Sequence, residues 1–297
     1  MLSKVFYEKD SSNKLDINEL ISNLLLYFSQ KYSGKKIDII NCQPGGTLGI
    51  FFHLYIDGKK YFIKTHIPNK ENHLNMLKEY ELLSILYKKE MYIDYVNIII
   101  NGMEQFFLII DILYPIANSN PLCINNAIND YNTKLSNIQN GLIKSEFSFN
   151  QIYSLSQDSL NYLYENNHIT KTLLDKCNIS FLKADLLEMK LDTFCHGDLS
   201  SKNILQKDGC LIVIDWEDSF WGYKDYDICY WLTFYEQRKY YTEPFLLRDL
   251  GIGYYKGIAT MIAITLIKCY MSCRDGSVLT NKLSISTRIN EIFRITN

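Results

Sequence analysis

The sequence predicts an α+β chain of two lobes, a small antiparallel sheet carrying one inserted helix and then a mainly helical lobe. Three observations predict it. Apolar runs of strand length, separated by Gly-bearing turns, fill most of the chain up to Leu113. One 3.6-periodic segment, Glu71 to Lys89, interrupts them. Beyond Leu113 the periodicity is helical, apart from one short hairpin.

The elements follow in order. Ile17, Leu20, Ile21, Leu24, Leu25 and Phe28 make an apolar stripe behind Asp16, a capping residue with Glu19 three positions on, and Gly34 ends this helix. Ile37 to Cys42 reads as a strand, Pro44 to Gly49 as a loop and Ile50 to Ile56 as a second strand. Asp57-Gly58 is a hairpin turn into a third strand, Tyr61 to His66, broken by Pro68 and Asn69. The inserted helix has Leu74, Leu77, Leu82, Leu83 and Leu86 as its apolar side. Two further strands, Val96 to Ile100 and Phe106 to Leu113, have Asn101-Gly102 between them. The stretch Pro115, Asn118, Ser119, Asn120, Pro121 is rich in breakers, which places the lobe boundary near Leu113 and divides the chain into 1–113 and 114–297. Helical, polar-rich pattern runs to Asp192. A compact unit then joins Thr193–Cys195, a loop from His196, a turn at Asp208-Gly209 and a buried strand, Leu211 to Ile214, ending in Asp215. Everything after Asp225 reads as helix.

Composition excludes several classes. Formal charge is 31 − 33 = −2, which gives no strong basic balance for nucleic acid or an anionic membrane. The 23 Tyr and 15 Phe are the opposite of a disordered composition. Eight scattered cysteines form no C-x-x-C pair, so zinc-ribbon and thioredoxin-like readings fall, and buried reduced thiols in a cytoplasmic protein are expected. The first residues lack the apolar core of a secretory signal. The longest apolar run, Gly257 to Ile267, falls short of the ~20 residues that span a bilayer and reads as a buried helix. His53, His66, His73 and His168 do not cluster and are expected to be structural or surface residues.

The chemistry is concentrated after Cys195. Asp198 and Asn203 lie five residues apart on one loop, and Asp215 ends a buried strand just after a hairpin. A carboxylate and an amide oxygen make a hard-oxygen site suited to Mg²⁺, leaving one carboxylate to accept a hydroxyl proton. Phosphoryl transfer needs that division of labour. Taken singly, His-Gly-Asp is compatible with a turn and an Asp after a strand with a helix cap. Jointly, H-x-D-x-x-x-x-N followed by apolar-apolar-Asp has the layout of a kinase catalytic loop and metal loop.

These residues carry a family resemblance. His196-Gly197-Asp198 with Asn203-Ile204-Leu205 resembles the catalytic loop of the aminoglycoside phosphotransferase family and its choline-kinase relatives, which share the bilobal protein-kinase-like fold. Ile214-Asp215-Trp216-Glu217 resembles that family's metal-binding loop, and Tyr226-Asp227-Ile228 its following helix. Gly197 stands where protein kinases carry Arg and Ser200 where they carry Lys. Only nine residues separate Asp218 from Ile228, little room for a peptide platform, so the resemblance is to small-molecule kinases. It is specific over about 35 residues and extends through the lobe order.

The resemblance implies roles for residues elsewhere. Gly45, Gly46 and Thr47 would bring backbone N–H groups to phosphates. Tyr61-Phe62-Ile63-Lys64 resembles Val-Ala-Ile-Lys, so Lys64 would contact the α/β-phosphates, and a charge in so apolar a strand wants a partner. Glu79 is preferred to Glu81 for this, with Leu82, Leu83 and Leu86 on its side of the helix. Adenine would meet backbone groups between Asp111 and Leu113. Asn203 and Asp215 would hold Mg²⁺, Asp198 would be the base, and His196 and Asp227 would support the loop. The donor would be ATP or GTP and the acceptor a small-molecule hydroxyl.

Two patterns bear on the acceptor. From Ser219 onward there are seven acids and ten bases, and Pro115 to Cys195 carries eight acids against six Lys, which disfavours a strongly cationic substrate such as an aminoglycoside. Asp215-Trp216-Glu217 resembles the Asp-aromatic-Glu of choline kinases, and the neighbouring aromatics suit a quaternary ammonium or pack as core. Glu217, Asp218, Trp221, Trp231 and Tyr235 are the acceptor-site candidates, with choline or ethanolamine, sugars and amino alcohols as alternatives. A fold that binds nucleotide without turnover is the other class.

Overall fold

Residues 16–42, 49–66, 70–116, 119–136, 148–274 and 283–296 are described in this computed structural model, with the side chains of 70–73 and 187 excepted. Helix α1 (Ile17–Lys31) begins where its capping residue dictates, the Asp16 carboxylate accepting from the Asn18 N–H at 2.8 Å. Its stripe of Leu20, Leu24 and Phe28 is buried on a five-stranded antiparallel sheet. The strands are β1 (Ile37–Cys42), β2 (Gly49–Ile56), β3 (Lys59–His66), β4 (Ile93–Ile100) and β5 (Met103–Asp111), in spatial order β1-β2-β3-β5-β4. Helix α2 (Lys70–Tyr87) is the insertion between β3 and β4.

Strand limits differ from the apolar runs, and turns explain the difference. Asn101 and Gly102 both adopt left-handed backbone, φ +52° and +77°, which closes a two-residue turn and sets Ile100 opposite Met103. Pairing then continues through Glu104 and Gln105 on one side and back to Ile93 on the other, polar residues included. Asp57 and Gly58 repeat the device at φ +49° and +83°, and draw Lys59 and Lys60 into β3. Backbone hydrogen bonding, not side-chain hydropathy, ends these strands.

A second, three-stranded sheet has the order β6-β8-β9, from β6 (Tyr114–Pro115), β8 (Ile204–Lys207) and β9 (Cys210–Val213). Tertiary contacts divide the chain into two units. One takes in the first sheet up to residue 117 together with Lys202–Glu217; the other takes in Asn118–Ser201 together with the chain from Asp218 onward. A cut at 113/114 assigns the β8-β9 hairpin to the helical lobe, whereas its contacts group it with the sheet. The Val213 N–H donates to the Tyr87 hydroxyl at 3.2 Å. Lys207 pairs with Asp111 at 3.0 Å and donates to the Glu90 carbonyl at 3.0 Å.

The helical unit contains α3 (Pro121–Leu135), α4 (Phe149–Glu165), α5 (Lys171–Ala184), α6 (Tyr226–Leu232), α7 (Leu246–Asp249), α8 (Tyr254–Arg274) and α9 (Ile285–Ile292). Asn120 caps α3 ahead of Pro121, and Ser148 with Gln151 forms a capping box on α4. A two-stranded ribbon, β7 (Thr193–Cys195) with β10 (Phe220–Gly222), carries the loop that follows Cys195; β10 stands where no strand was expected. Helix α8 is 21 residues, longer than its apolar run, and by length and composition passes for a membrane span. Most of its apolar window is buried inside the protein, where it packs on α4, α5, α6 and α9. It is the central helix of this unit.

Phe52 is fully buried in the sheet core, so Phe52→Ala is expected to destabilise by about 3–5 kcal/mol in a denaturant titration. Leu26→Gln, at a position 60% exposed on α1, should stay within about 0.5 kcal/mol.

Candidate active site

Side chains two apart on a strand share a face, and on β3 this sets Lys64 and His66 together. Both are buried. The Lys64 ammonium lies 2.8 Å from Glu79 Oε2 on α2, 2.6 Å from Asp215 Oδ1 and 2.6 Å from Glu217 Oε1. His66 Nε2 meets the same Glu217 oxygen at 2.6 Å. The other oxygen of Glu79 accepts from the Asp215 N–H at 2.7 Å, so one carboxylate holds both the lysine and the backbone after β9. The partner expected for Lys64 is therefore Glu79; Glu81 is exposed. Asp215 has left-handed backbone, φ +69°, and the Trp216 indole N–H closes the turn onto the Val213 carbonyl at 2.8 Å.

Burial disfavours the Lys64 ammonium, but Asp215, Glu217 and Glu79 outweigh it and hold its pKa well above the usual lysine range. Burial likewise opposes charge on Glu217, yet Lys64 and His66 hold its carboxyl well below the usual range. Glu79 goes the other way: burial raises it, and Lys64 offsets only part of that. Three carboxylates surround one ammonium, and oxygens of Glu79, Asp215 and Glu217 lie within 4.8 Å of one another. Such a hard-oxygen, negative set fits a divalent cation such as Mg²⁺. Asn203 sits across the β8-β9 hairpin, its carbonyl accepting from the Ile214 N–H at 2.9 Å, which brings residue 203 beside the Asp215 turn.

The loop after β7 is held from the helical unit's interior. Asp227, buried on α6, accepts from the His196 N–H at 2.8 Å, the Gly197 N–H at 3.1 Å and the Tyr131 hydroxyl at 2.6 Å. Burial pushes its carboxyl up, and the His196 ring, Tyr131 and these N–H groups act against that. His196 is fully buried and its Nδ1 accepts from the Asp198 N–H at 3.3 Å, so it shapes the loop from within. Gly197 is at φ +83°, and a Cβ there would collide with the Asp218 carbonyl. Asp198 Oδ1 accepts from the Tyr230 hydroxyl at 2.5 Å. Tyr230 is three residues after Asp227 on α6, hence on the same face.

Other expected site residues fall differently. Gly45, Gly46 and Thr47 lie outside the described residues. The Asp111 carboxylate ends β5 by accepting from the Tyr92 N–H at 2.9 Å. Burial works against its charge, but that N–H and Lys207 hold its carboxyl below the usual value. Leu113 is half-buried between β5 and β6. Glu217, expected at the acceptor, instead directs its carboxylate to Lys64 and His66. Trp231 and Asp218 are corrections too: at 0% and 3% exposure neither presents a surface to an acceptor. Trp231 stacks on Tyr240 and donates to Ser201 at 3.2 Å, because α6 is buried around its whole circumference. Trp221 is half-buried, edge-on to Phe194, and Tyr235 is exposed with the Arg238 guanidinium over its ring.

Three participants escaped the sequence pattern. His66 was legible as the i+2 neighbour of Lys64. Tyr230 was legible as the i+3 neighbour of Asp227. Lys268 on α8, whose ammonium lies 4.0 Å from the Tyr230 ring centroid, had no local signal.

Comparison with known proteins agrees with the resemblance. Residues 157–256, which contain the loop from His196 to Asn203, Asp215 and Asp227, match the model of the phosphotransferase enzyme family. No curated protein matches the chain by sequence. Similar folds are found in a thermostable mutant of aminoglycoside phosphotransferase APH(4)-Ia in ternary complex with AMP-PNP and hygromycin B (12% identity, 92% of this chain and 97% of that one, TM-score 0.59). A putative aminoglycoside phosphotransferase from Ralstonia eutropha is similar over 95% and 98% of the two chains, at 12% identity and TM-score 0.59. A choline/ethanolamine kinase family protein from Mesorhizobium loti is similar over 93% and 92%, at 13% identity and TM-score 0.55. The fold is the α+β, protein-kinase-like fold of aminoglycoside phosphotransferases and choline-kinase relatives. The family match covers residues 157–256, about a third of the chain.

Asp227→Ala leaves the His196 and Gly197 N–H groups buried without their acceptor, each worth about 1–3 kcal/mol, and is expected to lower the thermal midpoint. Gly197→Ala should do the same, while Gly209→Ala, where a Cβ meets open space, should cost less despite its positive φ.

Proposed function

We propose that this protein transfers the γ-phosphoryl group of ATP or GTP to a hydroxyl of a small molecule, with Mg²⁺ as cofactor. The observation that carries this reading is the Lys64–Glu79–Asp215 cluster, in which the half-buried Asp215 follows the hairpin that also carries Asn203. In this reading Lys64 binds the α/β-phosphates, and phosphate oxygens replace Asp215 on its ammonium. That releases the Asp215 carboxylate, which with the Asn203 side chain would hold Mg²⁺. When bound, the cation neutralises charge on the transferring phosphoryl group. Glu79 keeps Lys64 in place through the exchange, since its second oxygen is anchored on the backbone of residue 215. Asp198 accepts the proton of the attacking hydroxyl, held by Tyr230 on one side and by its own loop on the other. The AMP-PNP and hygromycin B bound by the similar APH(4)-Ia mutant support a nucleotide donor and a hydroxylated acceptor.

Charge and packing narrow the acceptor to a neutral or weakly charged polyol, sugar or amino alcohol. Ten bases against seven acids after Ser219 speak against a polycation. The aromatic faces of Tyr230 and Phe234 already carry the Lys268 ammonium, at 4.0 and 3.6 Å, which speaks against their caging a quaternary ammonium. Free thiols at all eight cysteines support a reducing, cytoplasmic setting.

The test is ADP or GDP release with Mg²⁺ and a panel of aminoglycosides, choline, sugars and homoserine. Turnover is expected with a hydroxylated member. Asp198→Asn should lower kcat by about 10²–10⁴-fold with the nucleotide still bound, and chelation of Mg²⁺ should stop the reaction. Nucleotide binding without turnover across the panel would instead establish a binding module.

A further inference from the structure

We infer that Tyr230 and Lys268 are a positioning pair for Asp198, Tyr230 fixing the carboxylate by hydrogen bond and Lys268 supplying the positive charge beside it. The inference rests on the reading of Asp198 as the base, and deepens it. A carboxylate that must take a proton from a bound hydroxyl has to be held in one orientation, and a misplacement of about 1 Å costs about 10²-fold. Within its own loop, Asp198 is tied at the backbone, through its N–H to His196. The carboxylate is tied at Oδ1 by Tyr230, 2.5 Å away.

Lys268 completes the arrangement from α8. Its ammonium rests on the faces of Tyr230 and Phe234, 4.0 and 3.6 Å from the centroids, and donates to Thr233 Oγ1 at 2.8 Å. Cation–π attraction of this kind is strongest where water is excluded. A cation on the ring face draws electron density from the phenol and strengthens its O–H as a donor to Asp198. Residue 200 of the same loop is Ser, and Lys268 brings a positive charge toward Asp198 from a helix 68 residues further along the chain.

The same placement makes the device sensitive to pH. Burial pushes the Lys268 ammonium down to about 7. Asp198 from the loop, Glu236 from the turn after α6 and the adjacent Cys269 favour its charged form, Arg288 from α9 opposes it, and the Tyr230 ring faces it. Lys268 is charged below that pH and loses its charge above it, so the support to Asp198 weakens as pH rises.

The experiment compares the intact protein with Tyr230→Phe, Lys268→Met, Lys268→Arg and Asp198→Asn, with nucleotide binding checked for each. ADP release from Mg²⁺-ATP is followed between pH 5.5 and 9, with the acceptor that turns over or with water. Tyr230→Phe is expected to lower kcat by about 10–100-fold with nucleotide KM unchanged. The parent kcat should fall as pH rises through about 7, as the Lys268 proton is lost. Lys268→Arg should remove that fall, and Lys268→Met should be slow at every pH. Parent-like kcat and pH profile in Tyr230→Phe and Lys268→Met, beside an inactive Asp198→Asn, overturns the pair and leaves the enzyme reading intact. A parent inactive with every acceptor overturns the enzyme reading instead. The pair is then decided without turnover, by ¹³C-lysine NMR titration. One lysine should titrate near pH 7, vanish in Lys268→Arg, and move to lower pH in Asp198→Asn, where the carboxylate that favours its charge is gone. An unmoved midpoint rejects the coupling.

Discussion

A single ammonium group buried among three carboxylates organises the sheet-bearing unit. Lys64 reaches that position because β3 pairs with β2 and β5 in one register, Lys64 opposite Phe51 and Leu108. Glu79 reaches it because α2 is inserted between β3 and β4. Asp215 and Glu217 reach it because β9 ends at Val213 and passes into a turn closed by Trp216. Burying these charges costs several kcal/mol per ion, and their mutual attraction roughly repays it. The cluster therefore contributes little net stability. What it does is penalise any other arrangement, since removing one partner strands a charge away from water at about 3–5 kcal/mol.

The helical unit solves a parallel problem with a different device. A loop that must hold a carboxylate in place cannot form helix or strand of its own, so its backbone N–H groups need acceptors from outside. Asp227 provides them for His196 and Gly197, and Tyr131 completes its coordination. Gly197 makes the close approach to Asp218 that a side chain would forbid. One helical turn along α6, Tyr230 addresses the carboxylate of Asp198. One short helix thus orders the loop at two points, the backbone through Asp227 and the side chain through Tyr230, and is buried on all sides to do so. That burial is why Trp231 is core rather than a ligand surface.

The proposed phosphoryl transfer draws on both devices. The carboxylates of Glu79, Asp215 and Glu217 leave an excess of negative charge around Lys64, which the proposed cation would offset. The filled aromatic faces of Tyr230 and Phe234 turn a site that composition suggested for a cationic ligand into part of the protein's own electrostatics.

Much of this is legible in the sequence. The order of helix, sheet, inserted helix and helical lobe followed from periodicities. The two-residue turns followed from Asp57-Gly58, Asn101-Gly102 and Asp208-Gly209, and the spacing of His196, Asp198, Asn203 and Asp215 pointed to the chemistry. These are local properties, written in residues within a few positions of one another, where propensity and covalent reach decide the outcome. Tertiary structure alone decided the rest. It joined the β8-β9 hairpin to the sheet through Tyr87, Glu90 and Asp111. It also moved Glu217 from the acceptor to Lys64, buried Trp231, and brought Lys268 from α8 onto Tyr230. Each of these depends on which faces meet when distant elements pack, and no pattern along the chain encodes a contact between residues dozens of positions apart.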